Sequence, residues 1–207
     1  IEKVIVDLKR LNEMSETAER NSLLGSAYNR KAMMSSVKKD KISALLKAAG
    51  YYFKAKEMAG EGKNNYSLTN WLEINNMLNL AGKLTWSKSE RKGIKVPTLK
   101  SAKESMLSII NSKSITDNDM DFWKEVEIAN ACLCLWLLER KNTADMNEKM
   151  VIDAYQKAWN FAGSLNKKIA EIEHFDFLIN AWSTFSTAKP QIKAITKIRT
   201  DLKNFLK

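Results

Sequence analysis

The segment from Leu23 to Ala32 constrains the fold of this chain more than any other part of the sequence. It places Leu24, Gly25 and Tyr28 at the seventh, eighth and eleventh positions of a helix that begins near Ala18. A glycine has no side chain, so it lets a second helix come close, while the leucine and the tyrosine supply packing surface. The segment therefore predicts a helix that is tightly paired with another helix.

The partner of that helix is predicted about twenty residues later. Ala48, Tyr52 and Ala55 repeat a small–aromatic–small spacing that lies on one face of a helix. The two segments together indicate a helical hairpin from Ala18 to Ala59.

Helical periodicity continues through nearly the whole chain, and strand-like alternation is nowhere sustained. After a first helix that ends near Met14, the pattern predicts eight more helices joined by short connections. Their expected extents are about Ala18–Met34, Asp40–Ala59, Ser67–Ala81, Thr98–Asn111, Asp119–Lys141, Glu148–Ala162, Asn166–Ser186 and Pro190–Lys207. The longest irregular stretch is a basic loop over residues 83–97. Short connections favour antiparallel neighbours, so the count fits one leading helix and four hairpins, Ala18–Ala59, Ser67–Asn111, Asp119–Ala162 and Asn166–Lys207.

Three stretches carry a resemblance to a known family: Thr17–Ala32, Ala55–Ala59 and Asn70–Leu72. They resemble the tetratricopeptide repeat (TPR) region that binds TRAF proteins in stress-activated MAP kinase kinase kinases. They also resemble the repeat regions of bacterial multidomain proteins that carry caspase-like or other effector domains. The resemblance covers about the first eighty residues and implies a regulatory scaffold without chemistry of its own. The sequence departs from the repeat pattern at two places. Asn21 stands where an apolar residue would suit, and the connection between two helices over Ser35–Asp40 is longer than in a standard repeat.

The expected fold class is therefore all-α, a TPR-like α-solenoid of about four helical hairpins plus a leading helix. A compact helical bundle is the alternative. Residues 1–207 are expected to form one repeat domain, a fragment of a larger protein because the chain begins at Ile1 without a methionine. Cys132 and Cys134 sit two apart in an apolar segment, where they predict small buried residues and not a disulfide. The lack of a disulfide framework favours a reducing compartment, and thus a cytoplasmic location. The sequence also shows no apolar stretch of membrane-spanning length and no signal peptide.

No catalytic set can be assembled from the sequence. The one histidine, His174, follows Glu171 in a Glu-x-x-His pattern, but a di-metal site of that type needs a second such pair. Gly60 and Gly62 do not make a phosphate-binding loop, because a further glycine and a preceding strand are missing. We expect no enzyme activity, no catalytic residue, no metal and no cofactor, although a helical enzyme remains a third hypothesis.

Repeat geometry predicts where a protein or peptide partner, or an adjoining effector domain, would bind. First helices of such hairpins line the binding groove, and asparagine amides can pair with an extended peptide backbone. The exposed polar flank of the second helix is expected at Ser22, Ser26, Asn29 and Arg30, and that of the fourth at Asn75, Asn76 and Asn79. Asn130 is a polar break in the sixth helix, and Trp86, in the basic loop, is a further candidate contact.

The charge distribution supports the main alternative. The chain carries a formal net charge of +10, concentrated in residues 83–103 and in the tail from Lys189. A basic helical module that binds nucleic acid would place Lys88, Arg91, Lys92 and Lys95 on one surface. Lysine outnumbers arginine in these blocks, which favours a solvated surface over base recognition.

Overall fold

The fold is known from a computed structural model that describes most of the chain. The described residues are 1–60, 63–83, 90–91, 94–95, 98–112, 122–139, 141–143, 146–185 and 189–206, with the backbone alone for 90–91 and 94–95. Within these ranges the chain forms nine α-helices and one short β-ladder, which confirms the all-α prediction. Contacts divide the chain into two compact units, Ile1–Thr98 and Leu99–Lys207. The expectation of a single repeat domain over residues 1–207 stays a prediction.

The first unit contains four helices and the ladder. They are α1 (Glu2–Met14), α2 (Ala18–Met34), α3 (Lys38–Ala59), α4 (Asn65–Leu80), β1 (Glu90–Arg91) and β2 (Ile94–Lys95). The two strands are antiparallel, with Glu90 opposite Lys95 and Arg91 opposite Ile94. The sequence analysis did not predict this ladder, because two residues a strand are too few to show alternation. The rest of the predicted loop beyond Lys83 lies outside the described residues.

The turn between α1 and α2 is fixed by side chains that satisfy helix ends. The Thr17 hydroxyl accepts from the backbone N–H of Arg20 at 3.1 Å, as an N-cap should. The Arg20 guanidinium donates to the carbonyl of Leu11 at 2.8 Å and to that of Ser15. Both carbonyls lie at the end of α1, where that of Leu11 also accepts from the backbone N–H of Ser15 at 3.2 Å. The predicted start of α2 is thereby confirmed.

Helices α2 and α3 form the predicted first hairpin. Leu24, Ala48, Tyr52 and Ala55 are completely buried between them. Gly25 is buried as well, and the ring of Tyr52 lies against its Cα. Helix α4 packs on α3, where the rings of Phe53 and Trp71 have their centroids 5.1 Å apart.

Helix α4 begins two residues before the predicted start at Ser67 and ends close to the predicted end. The Asn64 side chain caps its first turn by accepting from the N–H of Ser67 at 3.0 Å. At its other end Gly82 adopts φ +66°, and the N–H of Lys83 reaches back to the carbonyl of Leu78 at 2.8 Å. A left-handed glycine directly after the last turn is a common way for a helix to end.

The second unit contains five helices. They are α5 (Leu99–Asn111), α6 (Phe122–Glu139), α7 (Glu148–Asn160), α8 (Leu165–Ser183) and α9 (Lys189–Asn204). Helix α6 packs on α5 and α7, and α9 packs on α7 and α8. The pairs α6/α7 and α8/α9 correspond to the predicted third and fourth hairpins.

The predicted second hairpin, Ser67–Asn111, needs correction. Its first helix, α4, belongs to the first unit and packs on α3, whereas its second helix, α5, belongs to the second unit and packs on α6. The two helices therefore do not belong to one compact unit.

The core of the second unit is rich in aromatic side chains. Trp136, Trp159 and Trp182 are buried, and Cys132 and Cys134 are free and buried, as predicted for the two cysteines. Trp123, in contrast, is 57% exposed although helical spacing places it beside other apolar residues. Its neighbour Phe122 takes the buried position, and Lys167 lies over both rings at 5.0 and 5.7 Å from their centroids.

Candidate partner-binding site

Six residues in the first unit form a polar group, which we call the serine–tyrosine cluster (Ser22, Ser26, Asn29, Tyr52, Tyr66 and Ser67). The Ser22 and Ser67 side chains pair with each other, and the Ser26 hydroxyl joins them to the other members by donating to the Ser22 backbone carbonyl. The centre of the cluster is the hydroxyl of Ser26 on α2. The Ser26 Oγ lies 3.1 Å from the Tyr52 hydroxyl and 3.0 Å from the Tyr66 hydroxyl. These three residues come from α2, α3 and α4, so the cluster joins the three helices.

The inner part of the cluster is shielded from water. Tyr52 is completely buried, and burial raises the pKa of its hydroxyl well above the usual value, with the neighbouring Tyr66 as the next cause. Asn29 is only 7% exposed, and its Nδ2 donates to the Tyr52 hydroxyl at 3.3 Å. The Asn29 Oδ1 has no hydrogen-bond partner among the described residues. A buried acceptor without a partner is costly, and a bound donor would remove that cost.

The outer part of the cluster is open to solvent. Tyr66 is 46% exposed, and its ring meets that of Tyr52 edge-on at 5.9 Å between centroids. Beside it, the half-buried Ser22 and the completely buried Ser67 have their hydroxyls 2.7 Å apart, and the Asn64 amide donates to Ser22 at 3.3 Å. An incoming partner would meet hydroxyl and amide groups that both donate and accept.

The structure corrects part of the expected exposed flank. Arg30 is exposed, Ser22, Ser26 and Asn79 are half-buried, and Asn29 is buried. Asn75 and Asn76 were also expected to be exposed, but they are 1% and 0% exposed. Ten consecutive residues of α4, from Thr69 to Leu78, are buried, so the helix has no solvent face there. The cluster therefore brings together Ser22, Ser26 and Asn29 of the expected flank, but not Asn75 or Asn76.

Sequence reasoning missed Tyr66 and Ser67 as members of the cluster. Both lie in the first turn of α4, about forty residues from Ser26 along the chain. The adjacent cap residue Asn64 could have marked this turn as the start of a helix beside α2. Tyr52 was predicted only as a packing residue, and its hydroxyl contacts were not foreseen.

Asn130 takes part in a similar arrangement in the second unit. The hydroxyl of Tyr155 on α7 donates to the Asn130 Oδ1 on α6. Asn130 directly follows the buried Ala129, in the same way that Ser26 directly follows Gly25. Tyr155, like Tyr52, is completely buried. The Tyr155 ring meets Phe175 of α8 at 5.1 Å between centroids, as Tyr52 meets Tyr66 of α4. Each unit thus pairs a small residue and a polar neighbour with a buried tyrosine.

The basic-loop candidates have little structural description. Trp86, Lys88 and Lys92 lie outside the described residues, and for Arg91 and Lys95 only the backbone in β1 and β2 is described. Their role stays a prediction.

The described residues hold no group of three or more His, Cys, Asp or Glu side chains placed to bind a metal ion. Nor does any described helix combine the length and the apolarity needed to cross a bilayer. His174 is half-buried, with its ring stacked on Phe177 at 6.3 Å. Burial raises the pKa of the Cys132 thiol to about 11, which keeps it in the unreactive form.

Comparison with known proteins gives a match for most of the first unit. Residues 1–78 match the family model described as Tetratricopeptide Repeats-Sensor. No curated protein and no solved structure matches the chain. The matched range contains α1, α2, α3 and most of α4, together with every member of the serine–tyrosine cluster. Residues 1–78 are therefore a TPR-like region, and repeats of this kind generally mediate protein–protein interaction.

Proposed function

We propose that this chain is a non-catalytic regulatory module of a larger signalling or defence protein, and that it binds an extended segment of a partner protein at the serine–tyrosine cluster. The partner is a separate protein or an effector domain of the same chain. The signalling or defence context is what the resemblance to kinase kinase kinases and bacterial effector proteins implies. Action without a cofactor and a cytoplasmic location are part of the proposal.

The observation that carries the proposal is the position of the Ser26 hydroxyl. It lies between a buried tyrosine hydroxyl and an exposed one, so the hydrogen-bonded chain runs from the helix interface to solvent. Groups at the outer end can exchange water for a partner without breaking the hairpin. The unpartnered Asn29 Oδ1 lies at the inner end of the same chain.

The chemistry of the cluster suits a peptide backbone. A strand of peptide offers N–H and C=O groups in alternation, and serine, tyrosine and asparagine side chains can pair with both. No member of the cluster carries a charge at neutral pH, so binding should depend little on salt. Arg30, exposed next to Asn29 in the sequence, is a cation that could add a charge contact at the edge.

A peptide selection tests this proposal. A phage library of random 12-residue peptides is selected against the whole chain, and one enriched peptide is synthesised and titrated by calorimetry. We expect Tyr66→Ala to weaken binding at least tenfold, because it removes an exposed ring and a hydroxyl of the cluster. Raising the salt concentration from 50 to 300 mM should change the affinity by less than threefold.

Lys39→Glu is the control, since Lys39 is exposed at the start of α3, away from the cluster. It should leave the affinity unchanged within twofold. Selection of no peptide, or of peptides whose binding ignores Tyr66, would count against the proposal.

A further inference from the structure

Helix α9 presents one apolar and one basic face. Ile195, Ile198 and Leu202 are completely buried in the second unit. The opposite side, which we call the α9 basic face, consists of exposed lysines and threonines: Lys189, Lys193, Thr196, Lys197, Thr200 and Lys203. On a helix of 3.6 residues a turn these six lie within an arc of about 120°.

The spacing of the lysines gives this face a regular charge. Lys189, Lys193 and Lys197 follow one another at intervals of four residues, so each step rises by about 6 Å along the helix. In the described part of the chain, three acidic groups lie at the margins of this face. The Glu148 carboxylate of α7 accepts from the Lys197 ammonium at 2.7 Å, Asp176 pairs with Arg199, and Asp201 is half-buried beside the face.

The composition of the face narrows the kind of partner. Protein interfaces rely on aromatic or large apolar anchors, and the α9 basic face has none; the nearest exposed one is Phe205, beyond the end of the helix. Helices that bind membranes insert their apolar side, and here that side is packed against the unit's own core. A row of lysine donors without anchors fits phosphate groups.

We infer that the α9 basic face binds the sugar–phosphate backbone of nucleic acid without sequence preference. The lysines act as the donors, because the hydroxyls of Thr196 and Thr200 already donate to the carbonyls of Ile192 and Thr196. Lysine makes point contacts with phosphate and does not read base edges as arginine does. Lys197 contributes less than its neighbours while it is paired with Glu148. This surface belongs to the second unit, whereas the serine–tyrosine cluster belongs to the first.

Fluorescence anisotropy on the whole 207-residue chain tests the inference. The probes are a fluorescein-labelled 20-nucleotide single strand of mixed sequence and the 20-base-pair duplex made from it, at 50 and 150 mM salt. We expect the triple variant Lys189→Gln, Lys193→Gln, Lys203→Gln to bind the duplex at least tenfold more weakly at 50 mM. Its plot of log affinity against log salt should be shallower by about 2 to 3, because three phosphate contacts are lost.

The matched control removes three exposed lysines of the first unit, Lys3→Gln, Lys39→Gln and Lys63→Gln. It has the same net charge as the α9 variant and should lose less than threefold. Circular dichroism establishes that both variants keep their helices.

A gain-of-function pair adds a sharper test. Glu148→Gln should raise the affinity about twofold, because it releases Lys197 to the phosphates. Asp153→Asn is its control, since it removes the same charge from α7 but releases Lys149, which lies outside the α9 basic face.

Three results would overturn the inference. The first is the absence of duplex or single-strand binding at 50 mM salt. The second is equal weakening by the two triple variants, which would reflect net charge alone. The third is tighter binding of poly-glutamate or of phosphatidylserine vesicles than of either nucleic acid, which would assign the face to an acidic protein or a membrane.

Discussion

The Cα of Gly25 faces the ring of Tyr52 so closely that a methyl group there would lie 2.8 Å from the Cδ1 and Cε1 atoms of the ring. The ring is fully buried, and its hydroxyl is bonded to Ser26 and Asn29, so it has little freedom to move aside. Gly25→Ala should therefore destabilise the first unit. Overpacking of this kind costs about 1–3 kcal/mol, and the higher helix propensity of alanine returns at most about 1 kcal/mol. Urea unfolding followed by circular dichroism measures the net change.

The same substitution in a Tyr52→Ala background isolates the contact. Without the ring, alanine at position 25 meets no obstacle there, so the second substitution should be neutral or stabilising. Equal destabilisation in both backgrounds would mean that the close approach of Gly25 and Tyr52 is not the cause.

Local sequence pattern was enough to place most helices. The cap at Thr17, the glycine after α4 and the periodic apolar residues each act within a few positions of the chain, so α2 could be placed at Ala18–Met34. The sequence also predicted that Gly25 allows close approach of the helix that carries Tyr52, since both residues belong to one predicted hairpin. These features follow from short-range physics that a single sequence displays.

The candidate site was less predictable, because it depends on contacts between distant segments. Nothing local distinguishes the hydroxyl of Tyr66 as a neighbour of Ser26, or Asn76 as a buried residue. From the sequence alone, Phe122 and Trp123 are equally good candidates for a core position. Phe122 is the buried one because of the way α6 packs.

Asn21 is the departure from the TPR pattern that the structure explains. It is completely buried, and its Nδ2 lies 3.1 Å from Glu16 Oε1, 3.0 Å from the Thr17 carbonyl and 3.2 Å from the sulfur of Met58. Its amide is the main cause that lowers the pKa of Glu16. Asn21→Leu should therefore destabilise the fold by about 1–2 kcal/mol although leucine suits the family pattern, because hydrogen bonds across the α1–α2 turn are lost. Thermal and urea unfolding measure this change.

Leu23→Ala is the comparison for Asn21→Leu, since Leu23 lies on the same helix with its side chain largely exposed. It should change the unfolding free energy by less than about 0.5 kcal/mol. If Asn21→Leu stabilised the protein, the hydrogen bonds of Asn21 at the turn would not be a net source of stability.

The buried hydroxyl of Tyr52 should make the fold sensitive to alkaline pH. Burial raises the pKa of Tyr52 in the folded protein well above its value of about 10 in an unfolded chain. Above pH 10 the unfolded chain releases this proton and the folded one keeps it, so stability falls as the pH rises. The loss approaches about 1.4 kcal/mol for each pH unit above 10. Tyr52→Phe should be less stable near neutral pH but show a shallower decline, measured as Tm between pH 8 and 11.

Tyr51→Phe gives the comparison for the alkaline decline. Burial raises the pKa of Tyr51 too, but this residue is only partly buried, so its removal should flatten the decline less. An identical slope in the wild type and in Tyr52→Phe would show that the Tyr52 hydroxyl does not control the decline.

The thiols of Cys132 and Cys134 should be inert while α6 is folded. Both are buried, and the pKa of Cys132, raised by burial to about 11, leaves roughly one thiol in a thousand ionised at pH 8. We expect iodoacetamide to label the native protein at least a hundredfold more slowly than the protein unfolded in guanidinium, with mass spectrometry giving the extent. Ser36→Cys, at an exposed position between α2 and α3, is the internal standard and should react at once in the native state. Rapid native labelling of Cys132 would mean that α6 opens readily, and the packing of α6 against α5 and α7 would then be far weaker than its burial indicates.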